Sequence, residues 1–174
     1  MTPRPQVLIA QQTIQNRVSE LGRIISAAYP PNCPLILIGV LRGALYFLSD
    51  LSRAISQPVL IDLISVSSYA GTHSTGNVTL HQKTSINIAQ KDVLLIEDIV
   101  DTGRTLNALL QHFQKQNPRS LKICTLLNKP SRREVSVPIH YCGFRIPDQF
   151  VVGYGLDYEQ AYRNLPYIGL LSRP

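Results

Sequence analysis

Two adjacent carboxylates, Glu97 and Asp98, directly follow an apolar run at residues 93–96. A continuous apolar run is typical of a strand that is covered on both faces in a parallel sheet, and we expect this strand to end at the two acids. Carboxylates side by side at the end of a buried strand lose hydration and repel each other, so they need hydroxyl, metal or cationic partners. The pair therefore predicts a site for a polyhydroxylated or metal-bearing ligand.

A turn of small and hydroxylated residues, 101–105, begins three positions after Asp98. Apolar residues then recur at helical spacing, which predicts a helix with an inward face of Leu106, Leu109, Leu110 and Phe113. The first N–H groups of a helix have no partner within it, so with Gly103 and the Thr102 and Thr105 hydroxyls they could hold an anion. Asp101, at the same turn, could be a reactive carboxylate or simply a helix cap.

A second strand end also carries a charged residue. Residues 35–40 are predicted to form a buried strand and residues 44–55 a helix, with Leu45, Leu48, Leu51 and Ile55 inward. Arg42 and Gly43 lie between them, at a position where open α/β sheets bind ligands. From these residues alone, an anion contact and a solvated Arg beside a turn Gly are equally good interpretations.

Strands and helices alternate along the rest of the chain. The expected elements are an N-terminal helix ending at Pro30, strands at 59–66 and 121–127, an irregular extended pair at 78–88, and a final apolar run at 168–171. Lys129 follows the strand at 121–127. This order predicts an α/β fold with a parallel sheet, and 174 residues suit a single domain.

Residues 68–77 are small and polar, with two glycines, and are too poor in apolar residues to pack. We expect a mobile surface loop, and Tyr69 within it suggests a lid, although a plain linker would have the same composition.

Composition excludes several classes of function. No apolar stretch approaches the length of a membrane-spanning helix, and the N-terminus lacks a secretory segment. Cys33, Cys124 and Cys142 are odd in number and widely spaced, and two of them have apolar or aromatic neighbours, so buried thiols are expected rather than a disulfide framework, and with them a cytoplasmic protein. The net charge of +6 is scattered, with Arg132 and Arg133 as the longest cluster, so small polyanions explain it as well as nucleic acid does. There is no glycine-rich dinucleotide or P-loop motif, and the histidines show no metal-ligand spacing.

The stretch at 93–106 resembles the phosphoribosyl pyrophosphate (PRPP) motif of the type I phosphoribosyltransferases. Residues 39–43, 67–69 with 74–76, and 146–158 are similar to the hypoxanthine-guanine phosphoribosyltransferases, and the likeness covers nearly the whole chain. It implies a central parallel sheet flanked by helices, with a small hood formed by the N- and C-terminal segments. The implied reaction is purine salvage: PRPP and a 6-oxopurine, hypoxanthine or guanine, give IMP or GMP and pyrophosphate with Mg²⁺. A homo-oligomer, dimer or tetramer, is also implied.

The resemblance further implies a role for each matching residue. Asp101 would act as general acid or base beside purine N7. Glu97 and Asp98 would hold the ribose hydroxyls directly or through magnesium, and Asp157 would ligate magnesium on the pyrophosphate side. The 5′-phosphate and pyrophosphate would be bound by Thr102, Gly103, Arg104 and Thr105, and by Leu41, Arg42, Gly43 and Arg163, respectively.

On the purine side, Lys129 would reach the 6-oxo group, Phe150 would stack on the ring, the Val151 backbone would contact its far edge, and Asp157 would lie beside it. Ser68 and Tyr69 would belong to the closing loop, and the Leu41–Arg42 peptide would be cis or able to switch.

Asn128 departs from the family, in which an acidic residue often precedes the lysine. Two alternatives stay open: an RNA-binding regulator of pyrimidine genes with the same fold, and a phosphoribosyltransferase that prefers xanthine. The sequence does not distinguish hypoxanthine from guanine, since both present the same 6-oxo group.

Overall fold

Strands and helices alternate through most of the chain, as the periodicity predicted. The computed structural model describes residues 4–68, 78–80 and 84–171. In chain order the elements are β1 (Gln6–Ile9), α1 (Gln11–Ala28), β2 (Leu35–Leu41), α2 (Leu45–Ala54), β3 (Val59–Ser68), β4 (Val78–Leu80), β5 (Asp92–Val100), α3 (Arg104–Gln114), β6 (Ser120–Asn128), a short 3-10 turn (Pro130–Arg132), β7 (Tyr141–Arg145), β8 (Val151–Val152) and β9 (Ile168–Leu170).

The main sheet has the order β4-β3-β2-β5-β6-β7. Strands β3, β2, β5, β6 and β7 are parallel, and β4 is antiparallel to β3 at the edge. From β2 the chain adds β3 on one side, and from β5 it adds β6 on the other, so the strand order reverses between β2 and β5. The carboxyl ends of these two strands therefore border the crevice where open α/β sheets bind their ligands.

Both faces of the sheet are covered, which explains its continuous apolar runs. One core cluster joins β2 and β5 to helices α1 and α2, through Ile14, Val18, Leu21, Ile25, Leu35, Leu37, Phe47, Leu48, Leu51, Leu94 and Ile96. The alternate residues of the same strands point to α3, in a second cluster with Ile36, Ile38, Val93, Leu95, Leu106, Leu109, Leu110 and Phe113. The predicted inward face of α3 is confirmed.

A second, three-stranded antiparallel sheet forms the hood. Strand β9 lies between β1 and β8, so segments from the two ends of the chain pair with each other. This confirms the hood that the family resemblance implied.

Two details of the sequence prediction are wrong. Strand β5 does not end before the acidic pair but continues through it to Val100, because β6 extends alongside and pairs Glu97 with Thr125 and Ile99 with Leu127. Leu45, expected to point inward, is 47% exposed, whereas Phe47 is fully buried. Leu45 lies about a third of a turn away from the face formed by Phe47, Leu48 and Leu51, so it points away from the sheet.

Strands β1, β7 and β8 were not predicted, because they are short or only partly apolar. In the expected extended pair at 78–88, the strand Val78–Leu80 is present, and the described residues from 84 to 88 contain no strand. The three cysteines are free, as predicted, and Cys124 is buried. Among the described residues no helix has the length and apolarity to cross a membrane.

Candidate functional site

The carboxyl ends of β2 and β5 open onto a cavity of about 280 Å³. Its lining combines the end of β2, the acidic end of β5, the start of α3 and two residues near the C-terminus: Val40, Leu41, Arg42, Gly43, Val66, Glu97, Asp98, Ile99, Val100, Asp101, Thr102, Gly103, Thr105, Leu106, Asp157 and Arg163. Eleven of these are residues that sequence reasoning proposed for the site, Leu41, Arg42, Gly43, Glu97, Asp98, Asp101, Thr102, Gly103, Thr105, Asp157 and Arg163. They come from segments far apart in the sequence, so the fold assembles this site.

Glu97 and Asp98 are held in surroundings unfavourable to charge. Glu97 is 8% exposed, and burial, followed by repulsion from Asp98, raises the pKa of Glu97 well above its usual range. Burial also raises the pKa of Asp98, although the carboxylate accepts a bond from the Ile99 N–H at 2.8 Å. An approaching cation would relieve both the desolvation and the repulsion, and a hydroxyl donor would relieve the desolvation.

The turn between β2 and α2 packs directly against this acidic pair. The peptide between Leu41 and Arg42 is cis, as the resemblance implied. A Cβ on Gly43 would lie 1.5 Å from Asp98 Oδ2, so glycine is required for the turn to approach the carboxylate. On the other side of the turn, a Cβ on Gly155 would lie 2.0 Å from the Gly43 carbonyl oxygen. Three chain segments therefore meet without room for another side-chain atom.

The start of α3 leaves several N–H groups facing the cavity region. Gly103 is the N-cap, with φ of 86°, a conformation that glycine adopts readily. The first helical bond runs from Asn107 N to Gly103 O at 3.0 Å, so the N–H groups of the first turn before it are not used by the helix. Gly103, not Asp101, occupies the N-cap position, and Thr102 Oγ1 accepts from the Arg104 N–H at 3.4 Å, so the interpretation of Asp101 as the N-cap residue is wrong.

A second cavity, of about 580 Å³, lies beside the first. Its lining is more aromatic and apolar: Ile99, Asp101, Lys129, Arg132, Asp148, Gln149, Phe150, Val151, Leu156, Asp157 and Tyr158. Lys129 is 7% exposed, and its backbone N–H donates to the Val100 carbonyl at 3.0 Å. Phe150 remains partly exposed and meets Tyr158 edge to face at 5.7 Å. A cavity lined by aromatic rings and a buried lysine suits a flat ligand ring that carries a hydrogen-bond acceptor.

The two cavities share part of their lining, namely Ile99, Asp101 and Asp157. Asp101 Oδ1 is buried and contacts Arg132 Nε at 3.1 Å as an ion pair without forming a hydrogen bond. Asp101 therefore borders both cavities.

Two arginines, Arg42 and Arg163, line the first cavity. Arg163 Nη2 lies 2.8 Å from Asp157 Oδ1, and Arg163 Nη1 donates to the Gly155 carbonyl at 2.7 Å. Gln160 Oε1 accepts from Arg42 at 3.1 Å and from Arg163 at 3.3 Å. The amide that bridges the two arginines is neutral and compensates neither charge, whereas the Asp157 carboxylate pairs with Arg163.

Some predicted residues lie elsewhere. Arg104 lines neither cavity, since its side chain donates to Glu134 at 2.6 Å, although its backbone N–H contacts Thr102 Oγ1 at 3.4 Å. Of the predicted lid, only the backbone of Ser68, at the end of β3, is described, and Tyr69 lies outside the described residues.

Sequence reasoning missed several residues near the site, which are Arg132, Arg133, Asp148 and Gln160. The adjacent arginines after Lys129 were a visible signal, but they were interpreted only as the longest basic cluster.

Carboxylate oxygens from Glu97, Asp98 and Asp157 are the hard donors that Mg²⁺ prefers. Among the described residues no group of three or more His, Cys, Asp or Glu side chains lies together as a metal cage. A Mg²⁺ ion usually takes one or two protein carboxylates and completes its shell with water and substrate phosphates, so the residues present fit an ion that arrives with a phosphorylated ligand.

Comparison with known proteins gives a consistent result. The sequence model described as a phosphoribosyl transferase domain matches residues 9–159. The hypoxanthine phosphoribosyltransferase of Salmonella typhimurium is 46% identical, with 94% of this chain and 93% of that protein aligned. The hypoxanthine-guanine phosphoribosyltransferase of Staphylococcus epidermidis is 47% identical, over 95% and 93% of the two chains. A crystal structure of a hypoxanthine-guanine phosphoribosyltransferase from Bacillus anthracis superimposes with a TM-score of 0.92 at 43% identity, covering 96% of this chain and 98% of that one.

Proposed function

Because the chain belongs to the hypoxanthine-guanine phosphoribosyltransferases of the phosphoribosyl transferase family, we propose that it transfers the 5-phosphoribosyl group of PRPP to a 6-oxopurine. The products are IMP or GMP and pyrophosphate, which makes it a purine-salvage enzyme. The observation that carries the proposal is the pair of adjoining cavities with Asp101 in both linings. One cavity is lined by acids and an anion-binding turn, and the other by a lysine and aromatic rings.

The first cavity would bind PRPP. Glu97 and Asp98 suit the ribose 2′- and 3′-hydroxyls, since hydroxyl donors would satisfy carboxylates that burial leaves poorly solvated. The turn from Thr102 to Thr105 would bind the 5′-phosphate through the unused N–H groups of α3. The pyrophosphate would lie beside Arg42 and Arg163, with the backbone of Leu41 and Gly43 close by.

The second cavity would bind the purine. Lys129 would donate to the 6-oxo oxygen, Phe150 would stack on the ring, and Val151 and Asp157 would border its far edge. Asp101 would then lie between purine and sugar, next to N7.

Bond exchange takes place at the ribose C1′. The bond from C1′ to pyrophosphate breaks as a purine ring nitrogen bonds to C1′, and the proton on N7 passes to Asp101. Positive charge that develops on the sugar is stabilised by the carboxylates below it, and the negative charge on the leaving pyrophosphate by the two arginines. A Mg²⁺ ion held by Asp157 or by the acidic pair would neutralise further phosphate charge when bound.

The direct test is an assay of PRPP consumption and pyrophosphate release with hypoxanthine, guanine, xanthine, adenine and uracil. We expect turnover with hypoxanthine or guanine, dependence on Mg²⁺, and no turnover with adenine or uracil. A strong preference for xanthine, or no turnover with any base, would contradict the proposal.

We also propose that the whole chain acts as one domain in the cytoplasm and assembles into a homo-oligomer. The exposed apolar side chains of Leu60 and Ile61 on β3, and of Leu45 and Tyr46 on α2, support self-association. Sedimentation of the purified protein at micromolar concentration would distinguish a monomer from a dimer or tetramer.

A further inference from the structure

The segment that follows Lys129 packs onto the turn that carries Asp101. The N–H groups of Glu134 and Val135 both donate to the Thr102 carbonyl at 3.0 Å, and the N–H of Lys129 donates to the Val100 carbonyl at the same distance. A Cβ on Gly103 would lie 2.3 Å from the Val135 carbonyl oxygen, so the two pieces of backbone are in direct contact. The segment after Lys129, which borders the second cavity, therefore also contacts the turn at residues 101–105.

Arg133 belongs to this segment, and its side chain bonds to the residues at the ends of both β5 and β6. Its Nε donates to the Asp101 carbonyl at 3.1 Å, and its Nη2 donates to the Val100 carbonyl at 3.3 Å and to Asn128 Oδ1 at 2.5 Å. The side chain is half-buried, and it lines neither cavity. Arg133 can therefore influence the reaction through the groups that it bonds, which are the Val100 and Asp101 carbonyls and the Asn128 side chain.

We propose that Arg133 is a positioning residue for this reaction, which fixes the backbone of Asp101 relative to that of Lys129. The inference rests on the proposed function, because it assumes that Asp101 and Lys129 act on one purine. A guanidinium is planar and presents its donors in a fixed fork, so bonds to the residues before Lys129 and at Asp101 restrain their relative orientation. A lysine at position 133 could bond to these acceptors but could not hold them in one plane.

Asn128 makes this arrangement different from an ordinary ion pair. The side-chain acceptor of Arg133 is the neutral amide of Asn128. The geometry, rather than charge neutralisation, is therefore what the guanidinium contributes, and this predicts that shape matters more than charge at position 133.

The test compares Arg133→Gln and Arg133→Lys with Arg119→Ala. Arg119 is the control because its guanidinium also bonds a side chain on a neighbouring strand, the Asp92 carboxylate, but at the opposite end of the strands. For each variant we would measure the melting temperature, and kcat and KM for PRPP and hypoxanthine.

We expect kcat to fall by about 10- to 100-fold in both Arg133 variants, since a small misplacement of reacting groups has effects of this size. KM values should change less than kcat, and Arg119→Ala should lose thermal stability but keep its kcat. Arg133→Ala should regain part of its kcat when ethylguanidinium is added at millimolar concentration, and none with ethylammonium.

Two results would overturn the inference. One is a kcat within twofold of the original in folded Arg133→Gln and Arg133→Lys. The other is equal loss of kcat in Arg119→Ala at the same loss of melting temperature, which would mean a general effect of stability. If the unmodified protein shows no turnover with hypoxanthine or guanine, the proposed function fails before this comparison begins.

Discussion

At the scale of single residues, the site depends on carboxylates that the fold places where charge is unfavourable. Burial raises the pKa of both Glu97 and Asp98, and the repulsion between them adds to the effect at Glu97. A folded-state pKa above the unfolded one means that the native protein binds extra protons, so stability is lost as pH rises through the folded pKa. The charged forms of Glu97 and Asp98 therefore lower the free energy of unfolding near neutral pH, and these are the forms that would bind a cation or a hydroxyl group.

Glu97→Gln should accordingly raise the melting temperature, by at least about 2 °C at pH 8, since about 1 kcal/mol shifts it by 2–4 °C in a protein of this size. The gain should shrink towards pH 4, where Glu97 is protonated in both states, and turnover should fall at every pH. Thermal unfolding from pH 4 to 8 would measure this, with the exposed Glu20→Gln as a control. A variant less stable than the parent at pH 8 would contradict the explanation.

Lys129 should select oxo over amino purines. An ammonium has three donors and no acceptor, so it can bond a 6-oxo oxygen but cannot accept from a 6-amino group. In Lys129→Gln the amide can do both, so we expect kcat/KM for hypoxanthine to fall at least about tenfold and its preference over adenine to narrow. Steady-state assays with both bases would show it, and an unchanged preference would remove the assignment.

The substitution Asp101→Asn tests whether the Asp101 carboxyl group transfers a proton or only supports the structure. Because the Asp101 side chain does not cap α3, the amide should leave the melting temperature nearly unchanged. Loss of a general acid or base should lower kcat by about 10²- to 10⁴-fold, with little change in PRPP affinity. A fall of less than tenfold would mean that the N7 proton leaves by another route.

At the scale of elements, the first cavity is formed where turns from separate parts of the chain pack against each other. The β2–α2 turn, the acidic end of β5 and the segment at Gly155 approach so closely that Gly43 and Gly155 cannot carry a side chain. The position of the carboxylates is thus set by the packing of neighbouring elements as well as by strand β5.

Gly43→Ala should therefore damage catalysis more than stability. The new Cβ would overlap Asp98 Oδ2, and displacing that carboxylate should lower kcat/KM for PRPP by about 10²-fold. Gly39→Ala on the same strand is the matched control, since its Cβ would meet the flexible end of Leu48, which can move away. We expect the control to lose melting temperature but keep kcat/KM, and equal activity losses in the two variants would argue against the packing explanation.

At the scale of the whole molecule, the two cavities lie along the carboxyl edge of one sheet, with residues near the hood completing both. The first cavity joins β2, β5, α3 and the residues Asp157 and Arg163 close to the C-terminal strand. A ligand in it would contact most layers of the fold and should stabilise them together.

PRPP with Mg²⁺ should raise the melting temperature by about 5–10 °C when present at 100 times its Kd, which corresponds to about 2.7 kcal/mol. Mg²⁺ alone should have a much smaller effect, because the chain offers carboxylates but no complete cage among its described residues. Differential scanning fluorimetry would measure both. An equal shift from Mg²⁺ alone would indicate a site formed by the protein without the substrate.

The elements that sequence predicted well are those with a long and regular apolar pattern. Helix α3, strand β2 and the apolar part of β5 follow from spacing, because each buries a face against a partner. The acidic pair, the turn after it and Lys129 were also identified, since charged groups after buried strands are costly without a ligand. Short strands such as β8 carry too few residues for any pattern to show.

Residue types and spacing were enough to identify the groups of this site: two carboxylates, a turn of small and hydroxylated residues, a lysine and two arginines at strand and segment ends. How these groups are combined depends on the packing of the fold. The parallel order of β2, β5 and β6 brings Gly43 against Asp98 and places Asp101 in the lining of both cavities. It also turns Arg133 onto the Asp101 backbone and Arg104 away to Glu134. Local spacing fixes which residues lie on one face of an element, whereas contacts between turns depend on how separate elements pack.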